Sequence, residues 1–173
     1  MRYNDRAKIA TLILSLFIFT TGTVSAESKN KIENIVREFH INYSNNQVEK
    51  NGDLVANDII VEVNGGSSNG SNGATIKGRQ QFVNWLKQDK AIFPDSIITD
   101  HEVVVSGNKA AVRFTQEGTH LGPYPTTRGN LPPTGRRVVI QATEFFTFND
   151  EGKLIHLETL TNDLGAITQL TKK

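Results

Sequence analysis

The order of patterns along the 173-residue chain predicts an α+β domain, with helices first and then a run of strands forming one antiparallel sheet that the helices cover on one face. Three observations carry this expectation. Residues 28–44 repeat apolar side chains at helical spacing, while the chain beyond residue 96 alternates apolar and polar positions as strands do. A content of 37% hydrophobic and 21% charged residues, with no cysteine, fits one ordinary core that needs no disulfide framework. The same cysteine count removes thiolate nucleophiles and cysteine-ligated metals. A net charge of +1 leaves no overall basic field for nucleic acid.

The first 26 residues have the layout of a cleavable export signal. Arg2, Arg6 and Lys8 precede an apolar run from Ile9 to Phe19, and Val24-Ser25-Ala26 supplies the small residues a signal peptidase requires. That run is far shorter than the roughly 20 residues of a membrane span. The expectation is cleavage after Ala26, leaving residues 27–173 as a single domain in the periplasm or secreted, with no membrane attachment.

Within that domain the elements follow in order. Ile32, Ile35, Val36, Phe39 and Tyr43 form one stripe of a helix over 28–44, opposite Lys29, Lys31, Glu33, Arg37 and Glu38. Asn51-Gly52-Asp53 is turn chemistry, and Ile59–Val63 is a β-branched run read as a strand. The glycine, serine and asparagine stretch 65–73 has nothing to bury and reads as a loop; no Gly-Lys-Ser/Thr follows it, so it is not a phosphate-binding loop. A second helix is expected over 78–87, stopped by Phe93-Pro94-Asp95. Strands are expected over 97–105 and 110–120, joined by Ser106-Gly107-Asn108, then over 136–148 and, after the Asn149–Gly152 turn, over 153–161. A Gly/Pro-rich excursion fills 121–135, and a short helix closes the chain at 164–170.

Strand periodicity singles out Glu144. It alternates with Val138, Ile140, Ala142, Phe146 and Phe148, so a carboxylate stands in an apolar row, partly desolvated and suited to proton transfer. The alternative is a structural carboxylate at a wet rim or paired with Arg113 or Arg136. His120 shares a row with Val112, Phe114 and Gln116, where the strand meets the long excursion; it is either a pocket residue assisting Glu144 or a satisfied core histidine. Glu158 alternates with Leu154, His156 and Leu160 and is a candidate second polar group for the same cavity, although the opposite row holds Ile155 and Leu157 and leaves the inward face open; Trp85, Phe114 and Phe146 are the expected apolar lining. The four histidines show no metal-ligand spacing, so no metal is expected. No Gly-x-Ser-x-Gly elbow is present.

Gly118-Thr119-His120-x-Gly122, the block Leu131-Pro132-Pro133-Thr134-Gly135-Arg136-Arg137-Val138, Phe146-x-Phe148, Asp150-Glu151-Gly152-Lys153-Leu154 and the closing Asp163-Leu164-Gly165 together resemble the SnoaL-like polyketide cyclase (ester cyclase) family of the NTF2-like superfamily. The resemblance spans roughly residues 30–171. It implies a cone-shaped barrel with N-terminal helices packed on a curved antiparallel sheet and an apolar pocket at one end. It also implies an acidic general acid/base for intramolecular aldol closure, with no cofactor. Glu144 takes that acidic position, His120 matches the histidine of the Gly-Thr-His-x-Gly block, and Asp163 joins the substrate-binding set. The sequence departs from the family in Leu157-Glu158, where relatives carry a His-Trp pair, and in the longer 121–135 segment. Three functions therefore compete: an acid/base enzyme acting on a carbonyl-containing ligand, a carrier of a small apolar ligand, and an interaction domain that forms a homodimer through its sheet.

Overall fold

The computed structural model describes residues 26–64, 73–126 and 128–172. Residues 1–25, where the export signal is expected, and residues 65–72 of the glycine-rich loop lie outside the described residues.

Helix α1 (Ala26–Ser44) buries Ile32, Val36, Phe39 and Tyr43 along one stripe, as its spacing requires. A single 3₁₀ turn (Val48–Lys50) and the short α2 (Asn51–Leu54) lead into strand β1 (Val55–Asn64), which begins four residues before the run read from the sequence. Strand β2 (Ala74–Lys77) was not legible as a strand; it pairs antiparallel with β1, with Val61 opposite Ile76. Helix α3 (Arg79–Ile92) runs a turn and more beyond the expected end at 87 and stops at Phe93-Pro94. This extension is what carries Asp89 into the interior.

Strands β3 (Ile97–Ser106) and β4 (Lys109–Thr119) form the expected hairpin, with Gly107 at φ 59° in its turn. The excursion is not irregular throughout: β5 (Tyr124–Thr126) and β6 (Gly129–Leu131) pair as a small separate ribbon. Strands β7 (Arg137–Phe148) and β8 (Leu154–Thr161) follow, and α4 (Asp163–Thr171) closes the chain with an Asn162 side-chain cap on the Gly165 N–H.

The main sheet has the order β2-β1-β8-β7-β4-β3. It is antiparallel as expected apart from one pairing, because β1 and β8 are parallel. Those two strands are joined only by way of the whole intervening domain, so no hairpin constrains their relative direction. One core lies between α1, α3 and the inner sheet face; a smaller one places Ala166 and Leu170 of α4 with Val138, Ile140, Phe93 and Tyr124.

Two bulges decide which side chains face inward. In β3, Asp100 stands opposite Phe114 and Glu102 opposite Arg113, so His101 is an extra residue. Counting back by twos from the inward Val103 would reach His101; the bulge puts Asp100 on the inner face instead. In β8, Phe148 opposes Leu154 and Thr147 opposes His156, so Ile155 is extra. Beyond that bulge Leu157 and Thr159 are buried, and Glu158 points outward.

Candidate functional site

A cavity of about 180 Å³ lies between the helices and the inner face of the sheet. Apolar side chains dominate its walls, among them Trp85, Leu86 and Ile92 from α3, Phe39 from α1, and Phe114 from β4. Three carboxyl-bearing residues reach this apolar space: Glu144 from β7, Asp89 from α3, and Asp163 at the start of α4.

Glu144 is 5% exposed, and every other member of its row from Val138 to Phe148 is buried as well. The partner of its carboxylate is neither Arg113 nor Arg136. It is His40 of α1, whose Nε2 lies 3.0 Å from Glu144 Oε2. The other ring nitrogen, Nδ1, lies 2.5 Å from Asp100 Oδ1, brought inward by the β3 bulge. The ring is 2% exposed and packs on Phe114 with centroids 4.7 Å apart. Burial on its own drives a histidine toward the neutral form. Here the hydrogen bonds and charges of Asp100 and Glu144 outweigh it, and the His40 pKa rises from 6.5 to about 9. His40 was missed by the sequence reading. The available signal was its position four residues after Val36 and eight after Ile32, inside the apolar stripe, where a polar ring needs buried partners.

A second polar cluster centres on Asp89. The Tyr43 hydroxyl and Gln116 Nε2, the latter at 2.9 Å, both donate to Asp89 Oδ2. Gln116 also donates to the Tyr43 oxygen at 2.9 Å, and Ser96 Oγ lies 3.0 Å from it. Burial raises the Asp89 carboxyl, against the opposing effect of those hydrogen bonds, and burial together with the Asp89 charge pushes the Tyr43 phenol well up. Lys90 turns away from the cavity: its ammonium donates to the Ser96 carbonyl at 2.8 Å and sits 4.6 Å above the Tyr43 ring. At the third carboxylate, Asp163 Oδ1 accepts from the Tyr124 hydroxyl at 3.0 Å and from Thr161 at 2.9 Å.

The structure thus brings Trp85, Phe114, Asp163 and Glu144 to one cavity. Phe146 does not line the cavity as expected but lies behind its wall, stacked on Phe148 and edge-on to Phe39. Two further expected members stand elsewhere. Glu158 is on the outer face, accepting from Asn64 Nδ2 at 2.9 Å, because the β8 bulge inverts the alternation on which its placement rested.

His120 is fully buried, yet it stands behind Phe93 and Tyr124 rather than on the cavity wall, which corrects the expectation that it assists Glu144. Its Nδ1 accepts from the Thr134 hydroxyl at 3.0 Å and from the Thr134 N–H at 3.3 Å. Its backbone bonds Arg136 and Gly135. Burial lowers its pKa, opposed only by a backbone hydrogen bond at Gly122 and by no carboxylate. The Gly-Thr-His-x-Gly and Pro-Pro-Thr-Gly-Arg-Arg blocks therefore clamp one another. The glycines let the chain press against the end of α3 and the segment after it: a Cβ on Gly122 would stand 2.3 Å from the Ala91 carbonyl oxygen, and one on Gly118 would stand 2.9 Å from Ser96 Cβ. Among the described residues no group of three or more His, Asp or Glu side chains is arranged to hold a metal ion.

No curated protein matches the chain. Solved structures share its fold at low identity. A candidate SnoaL-like polyketide cyclase from Jannaschia sp. CCS1 is 17% identical, with a TM-score of 0.73 over 88% of this chain and 99% of its own. IdmH, a candidate polyketide cyclase from Streptomyces antibioticus, is 20% identical, with a TM-score of 0.67 over 80% of this chain and 97% of its own. AclR, a candidate hydroxylase from Streptomyces galilaeus, is 19% identical, with a TM-score of 0.67 over 84% and 99%. The family model for SnoaL-like polyketide cyclases matches residues 34–170, a span that holds the cavity, Glu144 and both clamped motifs; the chain belongs to that family.

Proposed function

We propose that the protein is an exported acid/base enzyme that closes a ring in a small, largely apolar carbonyl compound. Glu144 takes a proton from the carbon beside one carbonyl, and the resulting enolate carbon bonds to a second carbonyl carbon of the same molecule. The proton held by Glu144 then passes to the new alkoxide, so the step needs no external reagent. The observation that carries the reading is a buried carboxylate on an apolar row, opening onto an apolar cavity. A positioned base contributes about 10²–10⁴-fold, sufficient for a carbon already made acidic by its carbonyl. The cavity is slightly larger than the roughly 150 Å³ that accommodates a benzene, which suits a ligand of one or two rings.

Export rests on residues 1–26 and is tested by N-terminal sequencing of the natural product, for which Glu27 is the expected first residue. Pairing with a second copy is favoured by the outer sheet face, where Phe145, Val139 and Leu160 are exposed, and is read by sedimentation.

The deciding experiment uses 2-tetralone as the probe. Trp85 is the sole tryptophan and lines the cavity, so its fluorescence reports binding. Exchange of the α-hydrogens in D₂O reports proton abstraction. Wild type should exchange well above the buffer rate, while Glu144→Gln binds the probe without exchanging it. Binding with no exchange in wild type would favour the carrier reading. Equal exchange in both proteins would remove Glu144 from the reaction.

A further inference from the structure

We infer that Asp100 and His40 are positioning residues that act in line on Glu144, tying one carboxylate oxygen so that the other is presented to the cavity. The inference rests on the acid/base reading for what Glu144 does, while the line itself can be measured without turnover.

A glutamate on a strand has enough torsional freedom to swing its carboxylate between several directions, and apolar neighbours do not hold it. Here Oε2 is fixed by His40 Nε2 at 3.0 Å, and no described residue donates to Oε1. The ring is fixed in its turn by Asp100 at 2.5 Å on Nδ1 and by Phe114 and Phe39 against its faces. A neutral imidazole has one N–H, so it can donate to only one of two carboxylates. Two carboxylate oxygens on its two nitrogens call for the doubly protonated ring, and the rise of His40 to about 9 agrees with that geometry. The result is an anion–cation–anion line whose inner end is the proposed base.

The charged groups facing the ring come from each element packed on it. Asp100 belongs to β3 and Glu144 to β7, while β4 offers only Phe114. On α1 itself Arg37 reaches Asp100 Oδ2 at 3.6 Å. The outer end opens on a groove between α1 and β3 that includes Arg37, Ile41 and Ser44 and shares only Ile98 with the cavity lining. Asp100, with a side chain 12% exposed, meets solvent there. The state of the line is therefore set at a face of the protein that a ligand in the cavity does not cover. Neither His40 nor Asp100 lines the cavity, so removing the Asp100 charge should change when Glu144 works without changing how well a ligand fits.

The experiment labels the full chain with ¹⁵N-histidine and follows the ring signals across pH, assigning His40 as the signal lost in His40→Gln. Wild type should show both His40 nitrogens protonated at pH 7 and titration near pH 9. In Asp100→Asn that titration should fall by at least about one pH unit. The high-pH limb of 2-tetralone exchange should fall with it, while Trp85-monitored affinity stays within about twofold. Asp100→Glu, which keeps the charge, should restore both. If Asp100→Asn does not fold, Glu144→Gln provides the same reading from the other end: the His40 titration should fall there too, yet stay above 6.5. A His40 ring that is neutral at pH 7 in wild type overturns the inference. So does an Asp100→Asn protein in which neither the ring titration nor the exchange profile moves. If the ring titrates as stated but wild type exchanges nothing, the acid/base reading fails and the line survives as a charge arrangement.

Discussion

His40 and His120 are buried alike, at 2% and 0% exposure, and their electrostatics are opposite. Burial pushes both toward the neutral ring. His120 meets a hydroxyl and a backbone N–H from Thr134, and burial lowers its pKa against a weaker opposing backbone hydrogen bond at Gly122. His40 meets two carboxylates, and its pKa climbs to about 9. Burial lowers both, so the opposite direction at His40 comes from its two carboxylates. One ring is a neutral fastener joining two loops. The other is a cation stored inside the protein beside the proposed base.

The largest effect should come from removing that cation. His40→Gln leaves Glu144 buried without a counter-ion and Asp100 with only Arg37 at 3.6 Å, and breaking such an arrangement costs about 3–5 kcal/mol. The loss should depend on pH. The folded-state value lies above the unfolded value of 6.5, so the stabilising contribution of His40 is whole below about pH 6.5 and drains away as pH climbs through about 9. Denaturant curves at pH 6.5 and 9.5 should show wild type losing on the order of 3 kcal/mol more than His40→Gln over that interval. Parallel curves for the two proteins would mean that His40 is not a stored cation.

Glu144→Gln comes next. Read as an unpaired carboxylate in an apolar row, the residue invites the expectation that this change leaves stability intact or raises it at neutral pH. The His40 contact reverses the sign. The change leaves only a neutral amide oxygen to accept from a charged donor, and a hydrogen bond with a charged partner is worth about 1.5–3 kcal/mol at most, so the variant should be less stable at pH 7. It should also show a flatter fall toward pH 9, because His40 retains only Asp100. A variant as stable as wild type at pH 7 would show that the contact contributes nothing net.

The same residues show how far the sequence could be read. The α1 stripe, the β3–β4 hairpin and the β7 row follow from side-chain periods that depend on local backbone alone, and Glu144 was found by the longest unbroken strand, β7 (Arg137–Phe148). What was hidden rests on single inserted residues and distant pairings. His101 turns Asp100 inward and Ile155 turns Glu158 outward, and a bulge leaves no compositional mark that alternation can detect. The parallel β1–β8 pairing joins segments almost a hundred residues apart, so no turn announces it. His120 stood out because it sits in a strand row beside two familiar motifs. His40 did not, because a helix stripe reads as core whatever single polar residue it holds.

His120→Gln should have a smaller effect than either change at the cation. The amide keeps an acceptor for Thr134, and the expected loss at pH 8 is about 1 kcal/mol, one hydrogen bond of ordinary strength. The pH dependence should run against that of His40. The folded-state value is depressed, so the unfolded chain takes up the proton first and wild type loses stability as pH falls through 6.5. His120→Gln should remove that acid-side loss, as seen in denaturant curves at pH 8 and pH 5. An unchanged acid-side loss would place it at other groups, such as the carboxyls.

The smallest effect tests where the buried charge cluster ends. Arg37 is the next charge outward from Asp100, 3.6 Å from its Oδ2 and 2.7 Å from Glu33 Oε1, with a side chain 46% exposed. Water already screens a pair of that exposure, and such contacts contribute about 0–1 kcal/mol. Arg37→Gln should therefore change stability by less than about 1 kcal/mol in dilute buffer. The change should shrink further in 1 M NaCl, where the screening length is about 3 Å. The His40→Gln loss should survive the same salt, since ions do not enter between Asp100, the ring and Glu144. Denaturant curves of both variants at low and high salt compare the two directly. Should Arg37→Gln prove as damaging as His40→Gln, and as indifferent to salt, the line would extend through Arg37, and Asp100 would no longer be its outer end.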